Sequence, residues 1–191
     1  MADTAQQLMT EDEFLLWCLD KDQRFELVGG IPIEMMTGAS RTHDRIIVNI
    51  IRALGNQLRG TPCTPATADV AVRTRFRSVR RPDVTVTCDP PSNTDYDAPS
   101  AKMVVEVLSP SNRGIAWHRK LDEYRGRDGL AYILLVESDA VGAALYQRAP
   151  GSETWTTVDA TDRTAVFDLP QIACTLSLTD VYEGIDFEPA G

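Results

Sequence analysis

Met103-Val104-Val105-Glu106-Val107-Leu108 is the stretch on which the reading of this chain turns. A run so apolar and so rich in valine predicts a strand buried on both faces, near the middle of a sheet. Glu106 interrupts it, and a carboxylate without a partner is strongly unfavourable in such a place. Two explanations stand open. Glu106 pairs with an arginine near the strand end, or it faces a cleft as a cation ligand, helped by Ser109-Pro110 ending the strand soon afterwards. Upstream, Arg81-Pro82-Asp83-Val84-Thr85-Val86 opens a second short β-branched strand with an acid at its start. Pro-Asp alone is common in turns. Asp83 and Glu106 on neighbouring strands are a stronger signal, a pair of hard oxygen donors suited to Mg²⁺ or Mn²⁺ and not to zinc.

Downstream, Ser109-Pro110-Ser111-Asn112 predicts the cap of a helix from about Arg113 to Arg125. Arg113, Trp117, Lys120 and Tyr124 share one face of it. Lys120 either snorkels from an aromatic core face to water, or places its charge where a phosphoryl group or attacking water needs it. His118 lies on the same helix with no evident partner. An apolar strand from Ala131 to Val136 follows.

The flanking elements read in the same way. Thr10-Glu11-Asp12-Glu13 is a capping box that starts a helix running to about Leu19. Gly29-Gly30 joins Phe25–Val28 to Ile31–Met35 as a hairpin carrying Glu26, which faces either the site or solvent. Ser40 caps a helix whose inward stripe is Ile46, Ile47, Ile50, Ile51, Leu54 and Leu58. His43 begins that stripe, either as a satisfied structural residue or as part of a site. Ala66–Phe76 and Pro82–Thr87 predict strands, and 90–99 predicts a loop. Val141–Phe167 predicts hairpins, with turns at Ala149–Ser152 and Thr161-Asp162, and Ser177 caps a last short helix. With no repeat and no linker, residues 1–191 predict one α/β (α+β) domain, a mixed sheet flanked by helices with added β-hairpins.

A net charge of -9 argues against a chain that holds DNA by bulk electrostatics. Arg73, Arg75, Arg77, Arg80 and Arg81 form its one dense basic patch. The first three alternate, so on a strand they line one face, either as a dock for phosphates or as a solvated edge. Cys18, Cys63, Cys88 and Cys174 form no C-x-x-C pair and read as small buried residues in a reducing compartment. No apolar run is long enough to span a membrane and no secretory pattern opens the chain, so the cytoplasm is the expected location. Phosphate-binding, dinucleotide, nucleophile-elbow and zinc-protease motifs are absent.

Arg81-Pro82-Asp83-Val84, Val104-Val105-Glu106-Val107-Leu108-Ser109-Pro110-Ser111, Lys120 and Tyr124 together resemble the Uma-type restriction endonuclease family of the PD-(D/E)XK nuclease superfamily. The hairpin at Phe25–Gly30 and the helix start Ser40-x-x-His43 match as well, and the resemblance runs from about Thr10 to Ile185. It implies a restriction-endonuclease-like core and a Mg²⁺- or Mn²⁺-dependent endonuclease acting on DNA. Asp83 and Glu106 would hold the metal, Lys120 would be the catalytic lysine, and Glu26, His43 and Tyr124 would be peripheral. The parent motif places its lysine two residues after the acid, where this chain has Leu108, so the lysine is expected on the next helix. Family members also carry an Asp one turn before that lysine, where Ala116 stands here. That difference keeps an alternative in view, a nuclease fold retained to bind DNA or protein. A homodimer paired through hairpins from Val141 to Phe167 is a further expectation.

Overall fold

The computed structural model describes residues 8–35, 38–90, 92, 95–109 and 115–187. The first helix, α1 (Glu11–Cys18), starts on the predicted capping box. The Thr10 hydroxyl accepts from the Glu13 amide at 3.2 Å, and Glu13 accepts from the Thr10 amide at 2.8 Å. The hairpin β1 (Phe25–Val28) and β2 (Ile31–Glu34) closes through Gly29 and Gly30 at φ +60° and +84°. Both values are left-handed, which the tightest hairpin turn requires and glycine supplies without steric cost. Helix α2 (Arg41–Gln57) begins on Ser40, whose side chain accepts from the His43 amide.

The next strands are β3 (Thr64–Thr67), β4 (Val72–Arg73), β5 (Val79–Arg80), β6 (Val84–Thr87) and β7 (Ala101–Leu108). Helix α3 (Ile115–Arg125) then leads to β8 (Tyr132–Glu137), β9 (Ala143–Gln147) and β10 (Thr156–Ala160). The chain ends in β11 (Val166–Leu169), β12 (Cys174–Ser177) and α4 (Leu178–Val181). A six-stranded sheet has the order β10-β9-β8-β7-β6-β3. Its β7–β8 pair is parallel and its other pairs are antiparallel, so α3 is the crossover that a parallel pair demands. The predicted mixed sheet flanked by helices is the one observed.

Alternation along β7 assigns its two faces. Met103, Val105 and Val107 pack with Ile46, Ile50 and Leu54 of α2, while Val104 and Leu108 pack with Leu121 and Tyr124 of α3. Glu106 belongs to the second set by period-two spacing, which turns it toward α3. A smaller sheet, ordered β2-β1-β5-β4, leans on α1 around Phe14, Leu15, Leu27 and Val79.

Three expectations are corrected. Ala66–Phe76 is not one strand. The chain breaks between β3 and β4 and turns over at Thr74–Ser78, with Phe76 and Arg77 at φ 64° and 53°. Arg73, Arg75 and Arg77 therefore do not line one strand face. Second, β9 and β10 form the predicted hairpin within the chain, but β11 leaves the sheet after Thr161-Asp162 and pairs with β12. Third, Cys63 and Cys88 form a disulfide. Thr64 pairs with Thr87 in the β3–β6 ladder, so the two cysteines are the next facing residues, a proximity set by strand register and invisible in sequence spacing. Cys18 and Cys174 are free, and Cys174 is buried as expected.

Asn49 interrupts the apolar face of α2 for a reason. It is buried, and its Nδ2 donates to the carbonyls of Val181 and Glu183, both at 3.0 Å, at the C-terminal end of α4. Terminal helix carbonyls lack intrahelical donors, so Asn49 pins α4 to α2. Asn49→Ala is expected to lower unfolding free energy by about 1–3 kcal/mol in urea denaturation.

Candidate active site

Antiparallel pairing of Val84 with Val105 and Thr85 with Val104 carries one step further to set Asp83 opposite Glu106. Two like charges directly opposite on adjacent strands repel, so the local structure has to restrain them. Asp83 is held by the backbone of the next strand, its Oδ2 accepting from the Val107 amide at 2.7 Å. His43 approaches from α2. Its Nε2 lies 3.1 Å from the Val107 carbonyl and 3.6 Å from Asp83 Oδ2. A carbonyl only accepts, so Nε2 carries the hydrogen. The Asp83 carboxylate raises the His43 pKa despite the opposing effect of burial.

Glu106 is 8% exposed and is met from α3. Its Oε1 accepts from the Tyr124 hydroxyl at 2.7 Å and lies 2.7 Å from Lys120 Nζ. Burial pushes the Glu106 carboxyl up to about 7, with Asp83 and Glu26 adding to the rise and Lys120 opposing it. Lys120 also reaches Glu26 Oε1 at 3.0 Å. Burial alone would lower the Lys120 pKa, but Glu106 and Glu26 outweigh it and hold the ammonium well above the ordinary lysine range. Burial raises the Glu26 pKa, but Lys120 and Arg80 prevail and keep it low. Asp83, Glu106, Lys120, Glu26, His43 and Tyr124 thus lie in one connected cluster. The partners of Lys120 come from β1 and β7. Arg113, predicted on the same helix face, falls outside the described residues.

The arginines divide. Arg80 is buried and forks onto Glu123, with Nε to Oε2 at 2.7 Å and Nη2 to Oε1 at 2.9 Å, while Nη1 reaches Glu26 Oε2 at 2.9 Å. Arg73 pairs with Asp97 and Asp12 at 2.6 and 2.7 Å. Arg81 donates to the carbonyls of Phe25 and Asp69 at 3.1 and 2.7 Å. These contacts give Arg73, Arg80 and Arg81 structural partners, which divides the basic patch read from the sequence. Arg75 and Arg77 are exposed. His118 is exposed on α3.

Glu123 was missed in the sequence. It is 1% exposed and also meets Arg119 at 3.2 Å, its neighbour four residues back on α3. Its place one residue before Tyr124, three after Lys120, was the available signal.

Asp83 and Glu106 are oxygen donors, and the contacts described above engage Asp83 Oδ2 and Glu106 Oε1. Among those residues no cluster of three or more His, Cys, Asp or Glu forms a cage for an ion. That donor set suits Mg²⁺ or Mn²⁺, which bind through one or two carboxylates and complete their shells with water and phosphate oxygens. The Val107 carbonyl lies beside them, already accepting from His43.

A family model for Uma2, described as a putative restriction endonuclease, matches residues 11–179. The chain belongs to the Uma2 family. An uncharacterised Synechocystis protein, slr1290, is 28% identical over 183 residues, covering 94% of each chain. A crystal structure of a putative nuclease from Anabaena variabilis matches with TM-score 0.69 and 17% identity, over 91% of this chain and 97% of that one. At that identity the likeness establishes a shared fold, and the Uma2 fold here is restriction-endonuclease-like.

Removing one member of a buried ion pair leaves the other charge stranded. Arg80→Ala is therefore expected to destabilise the fold by about 3–5 kcal/mol in chemical denaturation with no nucleic acid present.

Proposed function

We propose that this Uma2 chain, as a single domain over residues 1–191, is a metal-dependent endonuclease that hydrolyses DNA phosphodiester bonds with Mg²⁺ or Mn²⁺. The observation that carries this reading is the placement of Asp83 opposite Glu106, with the ammonium of Lys120 2.7 Å from Glu106. Asp83 and Glu106 would hold the cation. When bound, such an ion polarises a phosphoryl oxygen and lowers the pKa of a bound water.

The remaining residues follow from their contacts. Lys120 keeps its proton, so it acts as a fixed charge and donor and not as a base. Glu26 and Tyr124 hold that ammonium and the Glu106 carboxylate in place, and His43 holds the strand end at Asp83 and Val107. Of the five arginines, Arg75 and Arg77 are the ones exposed enough to meet backbone phosphates. No helix among the described residues is long and apolar enough to cross a membrane.

Nicking of supercoiled plasmid in Mn²⁺ tests the reading. Asp83→Ala, Glu106→Gln and Lys120→Ala are each expected to lower the rate by about 100-fold or more. Undiminished nicking by the Asp83 and Glu106 variants would contradict it.

The pH dependence has a definite sign. A carboxylate must be ionised to bind a cation, and Glu106 holds its proton up to about pH 7. Mn²⁺ affinity measured by titration calorimetry should be about tenfold weaker at pH 6 than at pH 8, with no such slope in Glu106→Gln.

A further inference from the structure

The turn between β4 and β5 carries a feature that the acid cluster does not use. Phe76 is 72% exposed, more than any other large hydrophobic side chain among the described residues. Phe76 and Arg77 both adopt left-handed backbone, at φ 64° and 53°, which is unusual for side chains of their size. Bulky residues persist in such conformations only where the surroundings over-determine them.

Here they do. The Thr74 amide donates to the Ser78 carbonyl at 2.8 Å, and the Gly30 amide donates to the Arg77 carbonyl at 2.9 Å. The Gly29 amide donates to Ser78 Oγ at 3.0 Å, and the Thr74 hydroxyl donates to Glu123 at 3.2 Å. The tip is thus pinned on one side to the β1–β2 turn and on the other to α3.

Its charge is the reverse of the chain's. Arg75 and Arg77 stand on either side of Phe76 in the chain, and both are exposed. The Arg75 side chain lies over Gly126 from its stem to its guanidinium, where a β-carbon would fall 2.4 Å from its Cδ and 2.6 Å from its Nε. Glu13 is the acid near enough to feel Arg77. In a chain of net charge -9, an exposed aromatic ring whose two sequence neighbours are exposed arginines favours a polyanion with flat apolar faces.

We propose that Phe76, with Arg75 and Arg77, is a stacking platform for an unpaired base of a single-stranded nucleic-acid segment. Stacking needs an exposed base, and an intact duplex would first have to be unstacked. The tip leads through Ser78 and Val79 to Arg80, which grips Glu26 and so adjoins Lys120. A strand docked on Phe76 is thereby linked to the acids through the Arg80–Glu26–Lys120 contacts. The proposal rests on the nuclease reading and gives that reading its substrate form.

Fluorescence anisotropy with labelled oligothymidylate, in EDTA, tests it. The same strand annealed to its complement is the duplex arm, and oligouridylate is the RNA arm. The wild-type chain should bind both single strands more tightly than the duplex. Phe76→Ala should weaken strand binding by about 5- to 150-fold, and Phe76→Trp should retain it. Arg75→Gln and Arg77→Gln should each flatten the log–log salt dependence by about 0.7. Thermal melting should show Phe76→Ala folded, since the ring it removes is exposed. Equal strand affinity for Phe76→Ala and wild type would overturn the platform, as would a preference for duplex. Because binding is read without metal, failure of the platform leaves plasmid nicking free to support the acid site. Loss of nicking alone likewise leaves the strand-binding result standing.

Discussion

The structure depends on keeping an acid inside the central strand. Glu106 sits on β7, buried from both sides, with Asp83 opposite, one residue before β6 begins. Nothing in packing energetics favours that arrangement, because burial penalises a charged carboxylate and a like charge across the ladder penalises it again. Its tolerance comes from a chain of partners running outward. Lys120 bridges Glu106 and Glu26, Arg80 bridges Glu26 and Glu123, and Tyr124 completes the Glu106 contacts. The chain of charges joins three units of the fold: the central sheet, the small β1–β2–β5–β4 sheet and α3. A cluster that costs so much and ties together so much of the fold is the kind that chemistry retains.

Most of this was legible in the sequence, for identifiable reasons. The two-faced burial of β7 followed from its apolar run, and both long caps followed from Thr10, Glu13 and Ser40. The helical spacing of Trp117, Lys120 and Tyr124 put the lysine on one face with two aromatic residues, with snorkelling to water and a place in the site both left open. The pairing of Asp83 with Glu106 followed from treating their strands as neighbours. These are local signals, repeated at a fixed period, and they survive in one dimension.

What failed depended on register and on long-range charge. The five arginines look like one basic ridge, yet Arg73, Arg80 and Arg81 are drawn inward by Asp97, Glu26, Glu123 and backbone carbonyls far away in sequence. The left-handed turn at Phe76 and Arg77 breaks the alternation that would have aligned the rest. The Cys63–Cys88 bridge was hidden for the same reason, because only the β3–β6 register brings those residues face to face. Glu123 was overlooked because a charge on a helix normally reads as solvated, and its burial is created by Arg80 from another sheet.

The central claim is that Asp83 and Glu106 hold one divalent cation between them. Crystals soaked in Mn²⁺ and measured at a wavelength where manganese scatters anomalously address it most directly. The account predicts an anomalous peak shared by the two carboxylates, with Lys120 still bound to Glu26. Manganese absent from that position, with Glu106 still held by Lys120 and Tyr124 alone, would contradict it.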